Sequence, residues 1–246
     1  MDTELREPQI VKAEDINPRF NWNRAIPSPG HTGVDFEERV NFQRLHKYRQ
    51  ARARAALADS ELGAFLCFDG NNIRYLTSTV IGEWSRDKMG RYALLPGDGD
   101  PHVWDFGSAA THHRMYLPTM GTGCSHAGMV GLRGAVPPDA GLMRAAAEEI
   151  KAILSDNGVD KMPLGVDIIE PPMLHELERV GLEIRDAQQV LLNAREIKNI
   201  DEIVLLNQAA AMVDGVYQDV FEMLKPGVRE ADIVAHATKR LYEMGS

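Results

Sequence analysis

The sequence predicts an α/β protein: a three-layer domain followed by a pair of amphipathic helices. Three observations carry this. Between residues 63 and 193, short apolar runs bounded by turn residues alternate with amphipathic stretches, the pattern of strands and helices packed in layers. From Ile200 to Phe221, apolar residues recur at three- and four-residue steps, which places them on one helical face. The 246 residues are 44% hydrophobic, enough for a sizeable core in one large or two small domains.

Composition narrows the function classes. The formal net charge of −9 argues against nucleic acid as a partner. No apolar run approaches the ~20 residues that span a bilayer, and MDTELREPQI lacks the profile of a signal peptide. Two cysteines, Cys67 and Cys124, are too few for a disulfide framework. A cytoplasmic protein with no membrane partner is expected.

In chain order, residues 1–35 are rich in Pro, Asn and Gly and read as an extended arm. Its rings, Phe20 and Trp22, with Phe36 just beyond, pack on their own domain or reach a second subunit or a ligand pocket. Residues 36–59 read as a helix with a basic face of Arg39, Arg44, Lys47, Arg49, Arg52 and Arg54. That face is expected to be solvated and balanced by acidic residues elsewhere. Gly63–Phe68 is a buried strand followed by the turn Asp69-Gly70-Asn71-Asn72. Residues 91–95 and 102–106 flank Pro96-Gly97-Asp98-Gly99-Asp100-Pro101 and form a hairpin. Residues 108–117 are helical or irregular.

The Gly-rich stretch 119–131 is not a dinucleotide fingerprint. His126 stands where the pattern needs Gly, and Pro118 interrupts any preceding strand. It reads as a loop. A helix over 140–157, a strand over 163–167, a helix from Glu170-Pro171-Pro172 to about 180, a strand over 182–186 and a short helix over 187–193 complete the alternation. Pro226-Gly227 ends the long helix, and Arg229-Glu230-Ala231-Asp232 starts another.

The stretch Arg195-Glu196-Ile197-Lys198 with Glu202-Ile203, its long helix, and the turn Lys225-Pro226-Gly227-Val228-Arg229-Glu230 resemble the opening of the catalytic domain in the creatinase–prolidase–aminopeptidase P family. The word Asn72-Ile73-Arg74-Tyr75-Leu76-Thr77 resembles that family's N-terminal domain, where a short helix or turn carries it. The resemblance covers roughly residues 40–246. It implies a creatinase-type, ribonuclease H-like three-layer domain over 36–193, and a truncated pita-bread α+β domain over 194–246. It further implies a homodimeric metalloenzyme that cleaves a C–N bond in a Xaa-Pro dipeptide or a small molecule, or acts as a dimethylsulfoniopropionate lyase. The Trp- and Pro-rich arm leans toward the small-molecule branch. The family's pair of divalent metal ions is held by two Asp, one His and two Glu from beyond the part of the domain present here, so none is expected to be ligated by this chain. The rival expectation is a non-catalytic, protein-binding module of the same architecture.

Few residues offer chemistry. There is no Gly-x-Ser-x-Gly elbow, P-loop, Cys-x-x-Cys or His-Glu-x-x-His. Cys124, His126 and one of His112 and His113 hold donor atoms but lack a zinc spacing, and read as surface or loop residues. The neighbouring pairs Glu37-Glu38 and Glu148-Glu149 cannot face each other on a helix, and read as solvated. The resemblance singles out Trp84 and Arg86. In creatinase-like relatives, an aromatic-x-Arg on the corresponding loop reaches the partner subunit's active site. Arg binds a carboxylate through two parallel bonds, and Trp supplies a flat apolar wall.

Overall fold

The structure is a computed structural model and describes residues 40–80, 90–116, 121, 123–129 and 137–245. Its centre is a six-stranded sheet in the order β4-β3-β2-β1-β5-β6. The strands are β1 (Ala64–Cys67), β2 (Tyr92–Pro96), β3 (His102–Asp105), β4 (Ser125–Ala127), β5 (Leu164–Val166) and β6 (Ile184–Asp186). The hairpin pairs β2 with β3 antiparallel, and β1 with β2 likewise. The β1–β5, β5–β6 and β3–β4 pairs are parallel. Each strand of the alternation was expected except β4, which lies inside the stretch read as a loop. Three residues among glycines carry no period. The strand exists because Val103, Trp104 and Asp105 offer it a partner.

Helices cover both faces of the sheet. They are α1 (Phe42–Ala58), α2 (Gly70–Thr77), α3 (Gly107–Tyr116), α4 (Leu142–Asp156), α5 (Pro171–Arg179) and α6 (Gln188–Glu196). Strand residues alternate between the faces. Leu66, Tyr92, Leu94 and Trp104 bury against Met143, Ala147, Ile150 and Leu154 of α4 and Met173 and Leu177 of α5. Phe65, Cys67, Ala93, Leu95 and Val103 bury against Ala53 and Leu57 of α1, Ile73 and Leu76 of α2, and Leu191 and Ala194 of α6. At ~1.5–3 kcal/mol for each large apolar side chain, these two clusters hold the three layers together.

Local chemistry sets the helix ends. The Asn41 side chain accepts from Arg44 N at 3.0 Å and caps α1. Asp69 caps α2 by accepting from Asn71 N at 2.9 Å and Asn72 N at 3.2 Å. Pro171 and Pro172 occupy the first turn of α5, where a missing N–H costs nothing.

Two long helices follow, α7 (Ile200–Met223) and α8 (Glu230–Glu243). Gly227, at φ 96°, makes the turn between them. Residues Glu38–Leu205 form one compact unit, and the chain from Leu206 onward belongs to another. Within the latter, Arg240 Nε bonds Asp219 at 2.5 Å and ties α8 to α7. Their apolar residues Val213, Tyr217, Phe221, Val234 and Tyr242 are exposed. None of the described helices is long and apolar enough to cross a membrane.

Candidate functional site

Trp84 and Arg86 lie outside the described residues. The residues on either side of their segment are described, and they belong to a buried polar network. Arg91 places Nη1 3.0 Å from Asp105 Oδ2, and Nη2 2.8 Å from the Thr79 carbonyl oxygen. Nη2 also donates to Thr79 Oγ1. Thr77 Oγ1 donates to Ile73 O at 2.7 Å, so the Thr79 hydroxyl donates to Thr77 Oγ1, also at 2.7 Å. His113 Nε2 meets the same Asp105 oxygen at 3.0 Å. Asp105 Oδ1 accepts from Phe106 N at 2.9 Å. Arg91, Asp105, His113 and Thr79 are all buried. Burial pulls the Arg91 guanidinium below its ordinary pKa, and the Asp105 carboxylate works against that shift. Both members of the ion pair stand at hairpin ends. The register Tyr92↔Trp104, extended by one residue, sets Arg91 opposite Asp105. That opposite-charge pair was readable from the hairpin and was missed.

A second cluster runs across the sheet edge. Tyr92, Trp104 and His126 occupy neighbouring positions on β2, β3 and β4. Their rings stack, with centroids 4.8 Å apart for Tyr92–Trp104 and 4.6 Å for Trp104–His126. His102 stacks beside His126 at 5.2 Å. His126 Nδ1 lies 3.2 Å from Glu149 Oε1, and Trp104 Nε1 donates to Glu149 Oε2 at 2.9 Å. His126 Nδ1 therefore carries the proton that faces the carboxylate, which leaves Nε2 to accept from His102 Nδ1 at 2.9 Å. Burial first, then His126, hold the His102 imidazole down at about 4. His126 is lowered too, by burial, with Glu149 opposing.

Of the histidines expected at the surface or in loops, His112 is exposed, His113 is buried in α3 and His126 is half-buried on β4. His126 joins His102 and Glu149, while His113 turns to Asp105, so Cys124, His126 and His113 share no centre. Glu149 is exposed, as expected of a solvated carboxylate, and also receives the Trp104 indole N–H. The cause in each case is tertiary: β4 and α4 converge on the edge of β3.

At the carboxyl ends of β1 and β5, Asp167 collects donors. Its Oδ1 accepts from Phe68 N at 2.8 Å, and its Oδ2 from Asp69 N at 3.0 Å and Asn72 Nδ2 at 2.8 Å. Among these partners the carboxylate is a structural lock. The adjacent Cys67 is fully buried, and burial followed by the Asp167 and Asp69 charges pushes its thiol well up. It is not a thiolate nucleophile.

The basic face of α1, expected to be solvated, grips the chain that follows α6. Arg44 forms two 2.7 Å bonds to Asp201, and Arg49 reaches Glu202 at 2.8 Å. Arg52 donates to Ala194 O and Asn193 O, and Tyr48 to Ile197 O. The expected acidic balance is present at Asp201 and Glu202, which are buried. These two carboxylates sit in the first turn of α7, where the helix dipole favours negative charge.

The divalent pair implied by the family resemblance can be tested against these side chains. Among the described residues, no three His, Cys, Asp or Glu are placed to hold a metal ion. The nearest arrangement, His102 with His126, sets its nitrogens 2.9 Å apart. Two ligands at ~2.0–2.1 Å in a tetrahedral shell stand about 3.4 Å apart. The described residues do not fit the pair.

No protein-family profile matches the chain. Among curated proteins, it is 29% identical over 174 residues to the dimethylsulfoniopropionate lyase DddP of Roseovarius nubinhibens, covering 69% of this chain and 38% of the lyase. To the DddP lyase of Roseobacter denitrificans it is 27% identical over 164 residues, covering 65% and 35%. Among solved structures, a Xaa-Pro dipeptidase from Bacillus anthracis is similar at a TM-score of 0.58 and 14% identity, covering 82% of this chain and 50% of that one. The prolidase from Pyrococcus furiosus is similar at a TM-score of 0.54 and 16% identity, covering 80% and 53%. At such identities the solved structures show the fold alone. The matched region spans about half the length of these structures and less of the lyases. Its sequence is similar to the lyases and its fold to the peptidases, in agreement with the resemblance to the creatinase–prolidase–aminopeptidase P family that its motifs carry.

Proposed function

We propose that this chain is the N-terminal portion of a pita-bread enzyme that cleaves dimethylsulfoniopropionate. In this reading, residues 1–35 are an arm, 36–193 the creatinase-type domain, and 194–246 the first helices of the pita-bread domain. The observation that carries it is the 29% identity to a dimethylsulfoniopropionate lyase over 174 residues. The peptidases share the fold at 14–16% identity.

The proposed substrate is a zwitterion with a carboxylate at one end and a dimethylsulfonium at the other. Removal of a proton next to the carboxylate sends the C–H pair into a new C=C bond, and the C–S pair departs with sulfur. The products are acrylate, dimethyl sulfide and one proton. Arg86 binds the carboxylate with its planar fork. Trp84 offers its face to the sulfonium, as aromatic rings do for onium cations. The segment carrying both serves the active site of a second subunit, so the working unit is a homodimer. The divalent pair belongs to the intact enzyme.

The test uses the gene product as the cell makes it, loaded with divalent metal, beside residues 1–246 alone. Headspace dimethyl sulfide is measured with dimethylsulfoniopropionate, and free proline with a Xaa-Pro dipeptide. Dimethyl sulfide from the gene product, and turnover of neither substrate by residues 1–246, is the expected result. Proline release without dimethyl sulfide places the protein in the peptidase branch and overturns the lyase reading. Turnover of neither substrate by the gene product favours the protein-binding module.

A further inference from the structure

We propose that Cys124 and His102 form a binding site for a soft monovalent metal ion of the copper(I) class, held in line between the cysteine sulfur and one imidazole nitrogen. The inference stands on the β3–β4 edge and does not depend on the lyase reading.

The pairing follows from register. β3 and β4 run parallel with Val103 opposite Ser125, and one residue back His102 stands opposite Cys124. Val103 N donates to Cys124 O at 2.8 Å and holds that position. Side chains two apart on a strand share a face, so His102 joins Trp104, and Cys124 joins His126, on one side of the sheet. Cys124 Sγ lies 3.9 Å from His102 Nε2. The far nitrogen of His102 decides what Nε2 can do. Glu149 keeps the His126 proton on Nδ1, so His126 Nε2 accepts from His102 Nδ1. His102 Nε2 therefore carries a lone pair and faces the sulfur with it. Metal-binding histidines share this arrangement, with the far N–H donated to a fixed acceptor.

The separation selects the ion. Bonds of about 2 Å to nitrogen and to sulfur, laid end to end, span about 4 Å. In a tetrahedral shell the same two atoms would stand about 3.6 Å apart and need two more ligands. Among the described residues, no three His, Cys, Asp or Glu are placed to hold an ion. Copper(I) prefers soft ligands such as a thiolate and accepts two ligands in line. There is room beside the sulfur. A Cβ on Gly121 would lie 3.3 Å from Cys124 Sγ and 2.8 Å from Asp100 Oδ2. The glycine therefore leaves that side of the sulfur open and lets a carboxylate stand near it, where its charge favours a cation. Gly121 O accepts from Gly123 N at 3.0 Å and from Cys124 N at 3.1 Å, which fixes the turn. In the free protein the thiol donates to His102 Nε2, and the ion takes the place of that proton. The Cu–S bond forms, the S–H bond breaks, the proton leaves to solvent and no electron is transferred.

The experiment titrates the reduced, oxygen-free gene product as the cell makes it with copper(I) against bicinchoninate, a chromophoric copper(I) chelator. X-ray absorption at the copper edge reads the ligands, and alkylation mapped by mass spectrometry reads Cys124. The expected result is retained copper(I) with one sulfur and one nitrogen at about 2 Å, and Cys124 protected from alkylation. Cys124→Ser and His102→Gln each weaken retention by about 100-fold or more. His126→Phe removes only the acceptor behind His102 and weakens it roughly tenfold. Zinc(II), which lacks a closed shell here, does not protect Cys124. Failure to retain copper(I), equal retention by Cys124→Ser and His102→Gln, or retention with Cys124 still alkylated overturns the inference. A shell of three or four ligands, or equal protection by zinc(II), overturns it too. Should the variants not fold, the absorption spectrum and the alkylation of the unaltered protein decide.

Discussion

Replacing Asp167 tests the account of how the sheet and α2 are joined. Its two oxygens receive Phe68 N, Asp69 N and Asn72 Nδ2 from ninety-five or more residues away in sequence, each within 3.0 Å. Asp167→Ala leaves three part-buried donors without their acceptor. Each costs ~1–3 kcal/mol, so the loss is about 4 kcal/mol. Asp167→Asn costs less for a specific reason. The new amide turns its NH2 toward the donors that Oδ2 served, but Asn72 has an Oδ1 with no partner among the described residues. Flipping the Asn72 amide restores one bond, leaving Asp69 N alone at about 1.5–3 kcal/mol. Urea unfolding followed by Trp104 fluorescence reads both. With a slope of about 2 kcal/mol/M, the midpoint falls by about 2 M for Ala and about 1 M for Asn. An Ala shift below about 1 kcal/mol, or an Asn variant as damaged as Ala, refutes the assignment of Asp167 as the lock.

Three further outcomes are expected. His102 sits at about 4 in the folded protein, against ~6.5 for a free imidazole. The unfolded chain therefore binds more protons between these values, and stability falls as pH drops from about 6.5 to 4. At 1.36 kcal/mol per unit the ceiling is about 3 kcal/mol, and partial exposure discounts it to ~1–2. His102→Gln should flatten that limb in urea midpoints taken at several pH values. Gly128→Ala drives a methyl to 2.8 Å from Gly90 O and 3.2 Å from Asp105 N. Backbone cannot yield as a side chain does, so thermal melts should report a loss of about 1–3 kcal/mol. Tyr217, Phe221 and Tyr242 are each 70–72% exposed on α7 and α8. Residues 1–246 alone should therefore self-associate, and a light-scattering mass of one monomer at high concentration would refute this.

The sequence by itself determined the elements and their class. Period-2 and period-3.6 patterning, Pro171-Pro172 at a helix start and Gly227 after a helix end act within a few residues, so they are legible without a fold. The hairpin turn also fixed a register, and through it the facing of Arg91 and Asp105. Tertiary structure alone decided the rest. Ser125–Ala127 becomes a strand because β3 is there to pair with it. Glu149 stays exposed but gains a partner because Trp104, forty-five residues away, brings it an indole N–H. The basic face of α1 becomes a grip because Asp201 and Glu202 return to it across more than a hundred and fifty residues. A side chain's partner depends on where distant segments are brought together. No local pattern encodes that, whereas a helix or a turn is specified by the residues that compose it.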